Sequence, residues 1–130
     1  MYSDALITDT RAITRPRHRG YLSTEGRTGR RQFLLEIVLP AAVLFAGLFL
    51  AVSGGPDILH FAALMVGSGS LIMVYPAVRR LHDLDASGAW LGLALVPLAN
   101  LALMLVLLLK KGTPGDNQYG SDPMEADYVT

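Results

Sequence analysis

The charges in this chain leave three long gaps. No Asp, Glu, Lys or Arg occurs from Ile37 to Pro56 (20 residues), from Ile58 to Val78 (21) or from Ala86 to Leu109 (24). A helix rises about 1.5 Å per residue, so about 20 residues cross the roughly 30 Å hydrocarbon core of a bilayer, and each gap reaches that length. A chain of 130 residues that is 52% hydrophobic and 17% charged has too little polar surface to hide three such stretches inside a soluble domain. The expectation is an all-α integral membrane protein, a small bundle of three transmembrane helices at about 33–53, 58–78 and 90–109. Gly54, Gly55, Pro56 and Asp57 separate the first from the second.

Eleven Lys and Arg balance eleven Asp and Glu, which argues against a nucleic-acid binder, and the absence of Cys removes disulfides, thiolate metal ligands and cysteine nucleophiles. The zero sum hides an asymmetry. Residues 1–36 carry seven Arg against four acids, whereas residues 110–130 carry two Lys against four acids. With the amino terminus in the cytoplasm, nine basic residues collect on the inner side, seven from the amino-terminal segment plus Arg79 and Arg80, and the positive-inside bias selects that orientation. Tyr75 and Trp90 then flank the inner loop at headgroup depth. Three spans leave the carboxyl tail outside, a placement that Lys110 and Lys111 oppose. A break at Pro97–Asn100 that made the third segment a re-entrant hairpin would bring the tail back inside, and the sequence is compatible with both arrangements.

Outside the gaps, residues 1–25 read as a disordered, solvated tail containing Arg11, Arg15, Arg17 and Arg19, residues 26–123 as the multi-span membrane domain, and residues 124–130 as a short carboxyl tail. Arg30 to Leu34 before an apolar run imitates a twin-arginine export signal. The chain beyond it holds two more membrane-length segments rather than a soluble passenger, so the segment reads as a retained span.

Three local patterns stand out: GRTGRRQF at Gly26 to Phe33, RRLHDLDASGAW at Arg79 to Trp90, and GTPGDNQYGSDP at Gly112 to Pro123. With these residues the chain resembles the bacterial inner-membrane family known as domain of unknown function 805. The matching positions are Gly26, Arg27, Arg30 and Phe33 in the first pattern. In the second they are Arg79, Arg80, Leu81, His82, Asp83, Ser87, Gly88 and Trp90. In the third they are Gly112, Pro114, Gly115, Asn117, Tyr119, Gly120 and Pro123. The chain departs from the family's usual residues at Leu34 and Ala89, where Trp is common, and at Asp85 and Ala86, where Gly and a basic residue are common. The resemblance implies a small multi-span protein in the inner membrane and supplies no established reaction.

Read chemically, Arg79 lies three and four residues before His82 and Asp83, so a helix continuing past the membrane surface puts these three on one face, with Arg80 pointing elsewhere. Such a cluster either anchors the helix end or grips a phosphate-bearing ligand. Glu36, one turn inside Phe33, has Arg30, Arg31, Arg79 and Arg80 as prospective partners. Ser87 reads as a helix cap rather than a nucleophile, because no nucleophile-elbow motif surrounds it. Asn100 beside Pro97 suits an interhelical hydrogen bond, and Ala63 with Gly67 and Gly47 with Ala51 form small-xxx-small steps that favour close helix packing. The histidines lack metal-ligand spacing, so no metal or cofactor is expected. In the tail, Gly115, Asn117, Tyr119, Gly120 and Pro123 suggest a turn-rich cap over the helix ends.

The function expected from these residues is that of a non-enzymatic membrane protein, structural, regulatory or interacting. Arg27, Arg30, Glu36, Arg79, Arg80, His82 and Asp83 would form its polar cluster at the cytoplasmic face. Its partners would be the lipid bilayer, anionic lipid headgroups, and a second copy or another membrane protein. The alternative is a small transporter or lipid-processing protein using Glu36, His82 and Asp83.

Overall fold

The computed structural model describes residues 21–123, so the tails expected at 1–20 and 124–130, with Arg11, Arg15, Arg17 and Arg19, lie outside the described residues. The fold is all-helical, as the charge gaps require. Helix α1 spans Arg30–Ser53 and helix α2 spans Leu59–Asp83, joined through a single 3-10 turn at Pro56–Ile58. A longer 3-10 segment, Gly88–Leu95, then leads into helix α3, Pro97–Leu109.

The short connector makes α1 and α2 an antiparallel pair, which is the most extensive packing in the molecule. The pair closes over glycines: a Cβ on Gly47 would lie 2.8 Å from Met65 Cβ, and one on Gly69 would lie 2.8 Å from the Pro40 carbonyl oxygen. Of the small residues expected to make contact, Gly47 and the neighbouring Gly69 do so. Ala51 and Ala63 are exposed and Gly67 faces open space, while the buried positions are Ala62 and Gly69. Spacing alone locates a stripe on a helix without saying which stripe the neighbour covers.

At 24 and 25 residues, α1 and α2 are long and apolar enough to cross a membrane. Little of either is covered: Val52 is 90% and Leu35 76% exposed. A helix that is apolar all round and largely uncovered by its own chain suits lipid rather than water as its surroundings.

The third gap differs from its expected form. Trp90–Leu109 is not one continuous helix: the chain is 3-10 as far as Leu95, turns through an extended Val96 (φ −104°, ψ 118°), and becomes α-helical only at Pro97. The proline explains the break. Its ring disfavours helical geometry at Val96, and its missing N–H and fixed φ suit the first position of a new helix. At 13 residues, α3 is about 20 Å long, well short of a bilayer core. Its last carbonyls accept from Arg30 and Arg80, so the segment departs from the end of the α1–α2 pair where α2 finishes and returns to the same end. The core lies there too, where Phe33, Ala77, Leu81, Leu84, Leu103 and Leu107 bring all three helices together.

Candidate functional site

Asp83 is the last residue of α2, and Arg80 stands one turn earlier on the same face. The Arg80 Nη1 donates to Asp83 Oδ2. From the segment before α1, Arg27 reaches across and places Nε at 3.1 Å and Nη2 at 3.0 Å from Asp83 Oδ1. Each carboxylate oxygen thus carries a guanidinium. The three side chains are sealed from solvent, at 1% exposed for Arg27, 0% for Arg80 and 4% for Asp83.

This corrects the expected Arg79–His82–Asp83 grouping. Arg79 turns toward α1, where its Nη2 lies 2.8 Å from Glu36 Oε2, and Gln32 Nε2 donates to the other Glu36 oxygen at 2.9 Å. A step of about 100° around the helix separates Arg79 from Arg80, so one ties α2 to α1 while the other faces Asp83. Tyr21 adds a hydroxyl donated to the Glu36 backbone carbonyl. Burial pushes the Tyr21 phenol above its ordinary pKa, with the Glu36 carboxylate adding to the rise and Arg79 opposing it.

Two guanidiniums against one carboxylate leave a surplus positive charge, and backbone carbonyls absorb it. Arg80 Nε donates to Leu107 O at 2.8 Å and its Nη2 to Lys110 O, while Arg30 Nη1 reaches Leu109 O at 3.3 Å. These are the carbonyls that an α-helix leaves unsatisfied at its negative end. Helix α3 has no basic residue in its own last turn, so residues from the other two helices cap it. Arg27 spends its remaining donors on the carbonyls of Thr113, Gly115 and Gly120.

The tail completes the assembly. Thr113 donates both its N–H (2.8 Å) and its hydroxyl (3.1 Å) to the Asp83 carbonyl, and Asn117 Nδ2 donates to His82 O at 2.8 Å. The end of α2 is capped by these residues and by its own turn, in which Ala86 N–H bonds to Leu81 O and Asp85 N–H to His82 O. Gly112 must be glycine for space, since a Cβ there would overlap the Asp83 carboxylate. Tyr119 stacks on the His82 ring with centroids 3.9 Å apart, His82 Nδ1 lies 3.3 Å from Gly26 O, and Pro123 lies against Gly29.

The structure therefore gathers Arg27, Arg80, Asp83, His82, Gly115, Asn117, Tyr119 and Gly120 into one clasp, with Arg30 at its edge. Arg79 and Glu36 form a second pair on the α1–α2 seam. Glu36 and Asp83, offered together as acid–base candidates, belong to separate networks, and Ser87 caps the 3-10 segment by accepting from the Ala89 N–H at 3.3 Å. Sequence reasoning passed over Thr113, whose position between Gly112 and Pro114 was the available signal, and Tyr21 and Gln32, for which sequence offered none.

Comparison with known proteins bears on the same residues. The pattern described as protein of unknown function DUF805 matches residues 21–121. Among curated relatives, the inner membrane protein YhaI of Escherichia coli K12 is 32% identical over 109 residues, covering 81% of this chain and 89% of its own. The inner membrane protein YhaH of the same strain is 29% identical over 115 residues, covering 81% of this chain and 90% of its own. No solved structure matches.

Proposed function

The chain belongs to the DUF805 family, and on that premise we propose that it is a non-enzymatic, multi-pass inner-membrane protein whose Arg–Asp clasp is a structural lock at the cytoplasmic face. Helices α1 and α2 cross the bilayer, the third segment enters from the cytoplasmic side and returns to it, and the molecule acts by what its fixed surface contacts. The observation that carries this reading is the full commitment of the buried Arg27–Asp83–Arg80 triad to its own chain. Groups held in this way serve as an anchor rather than as a ligand grip or a proton relay.

Charge supports the topology. If the third segment returns, Lys110 and Lys111 join the seven Arg of the amino-terminal segment and Arg79 and Arg80, so all eleven basic residues lie on one side. The connector between α1 and α2 then carries only Asp57. The positive-inside bias is satisfied without the conflict that three full spans create.

The natural absence of Cys makes the test direct. Single cysteines at the exposed positions Asp57 and Ser121 are treated with a membrane-impermeant maleimide in intact spheroplasts. Labelling at 57 and protection at 121 is the expected result. Labelling at both positions would establish three full spans and refute the returning segment.

A further inference from the structure

Beside the clasp, a cleft of about 300 Å³ lies between the 3-10 segment and α3. The α3 side is formed by Ala99, Ala102, Leu103, Val106 and Lys110. The first four follow the spacing i, i+3, i+4 and i+7, which is a single stripe down the helix, and Lys110 stands just past the helix end. Seven residues at about 1.5 Å each make the stripe about 10 Å long, so the cleft is a furrow along the helix. Its alanines lower the floor, and Trp90 and Leu93 of the 3-10 segment line it together with Leu81 and Leu84 from the end of α2. Every lining residue is apolar except Lys110.

Among the described residues that lysine has no ion-pair partner. The three ion pairs among the described residues involve Arg27, Arg79 and Arg80, and neither Lys110 nor the exposed Lys111 enters them. The Lys110 carbonyl accepts from Arg80, which fixes the backbone at the end of the furrow, and the residue itself is exposed.

We propose that this cleft binds one anionic phospholipid, with an acyl chain along the α3 stripe and the headgroup phosphate on the Lys110 ammonium. The shape takes a linear hydrocarbon, and the single cation at one end takes a single anion attached to it. The volume is at the lower limit of small-molecule sites, enough for part of one chain with the remainder in the bilayer. Trp90 at the rim is the residue type that favours the headgroup boundary, with an apolar ring and one N–H. The inference rests on the membrane placement proposed above.

Trp90 is the protein's one tryptophan and is 57% exposed, so it reports on the site without labelling. The full chain is placed in phosphatidylcholine vesicles, and Trp90 fluorescence is quenched with dibrominated phosphatidylglycerol or dibrominated phosphatidylcholine. The expected result is about fivefold preference for the glycerol lipid, the factor for one lysine at an anionic surface. Lys110→Gln brings the ratio close to one, Lys111→Gln keeps most of it, and Ala102→Phe, which fills the furrow, also abolishes the preference. A wild-type ratio of one overturns the site, as does equal loss in the two lysine variants, which would mean a diffuse basic surface. Absence of quenching by either lipid overturns the membrane placement instead.

Discussion

Replacing Asp83 by Asn keeps the shape of the side chain and removes its charge, leaving the Arg27 and Arg80 guanidiniums buried beside a neutral amide. Both arginines are all but inaccessible to water, at 1% and 0% exposed, so solvent cannot compensate. The carboxylate takes part in contacts with two guanidiniums, one of them through two nitrogens. Hydrogen bonds to charged groups contribute about 1.5–3 kcal/mol each, so loss of one from each arginine costs about 3–6 kcal/mol. The cost of stripping one partner from a buried ion pair, about 3–5 kcal/mol, falls in the same range. Removing a guanidinium as well relieves the surplus charge, so Asp83→Asn combined with Arg27→Gln is less destabilised than the sum of the two single variants, by at least about 1 kcal/mol. The four proteins can be compared by denaturant titration in mixed micelles, with the Trp90 signal as the readout. A loss below about 1 kcal/mol for Asp83→Asn is the value of a solvated surface pair, and would refute the idea that the clasp is a dry lock. Asp83→Glu does not restore stability, because Gly112 leaves no room for another methylene.

The backbone yields two more expected outcomes. Asp85 stands at φ 56°, in the left-handed region where an L side chain costs about 1–2 kcal/mol, and its carboxylate lies at the negative end of α2. Asp85→Gly relieves both, against the unfolded-state entropy of glycine and the bond from Gln118 at 3.2 Å, for a net gain of about 0.5–1 kcal/mol. The same titration checks it, and a variant no more stable than the parent overturns the strain argument. Gly69→Ala drives a methyl into the Pro40 carbonyl on the neighbouring backbone and costs about 1–3 kcal/mol, whereas Gly67→Ala, two residues away in open space, is neutral or gains up to about 1 kcal/mol of helix propensity. Equal effects at the two sites would mean that the helices do not cross where the structure places them.

Sequence reasoning reached the main elements because their cause is local. A charge gap of 20 residues is a statement about solvent, and the three motifs converge because each marks the end of a helix or the tail that covers those ends. What it missed depends on neighbours. Arg79 and Arg80 are both within one turn of Asp83, and the choice between them is made by α1, which presents Glu36 to Arg79 and leaves Arg80 to Asp83. The third gap has the length of a span, yet length says nothing about backbone, and Pro97 divides it into two pieces that turn back. The Ala63–Gly67 step has the right period and the wrong phase, because which side of a helix is covered depends on where its partner crosses.

The capping of α3 by Arg80 and Arg30 has a consequence for biosynthesis. A 13-residue helix is too short to be handed to the bilayer as an independent stop, and its carbonyl end has no basic residue of its own in the last turn. The ribosome delivers the two long helices first, and with them the guanidiniums already in place. If the third segment returns as proposed, the final apolar piece docks onto a finished hairpin rather than threading through the lipid, and its position is inherited from segments made before it.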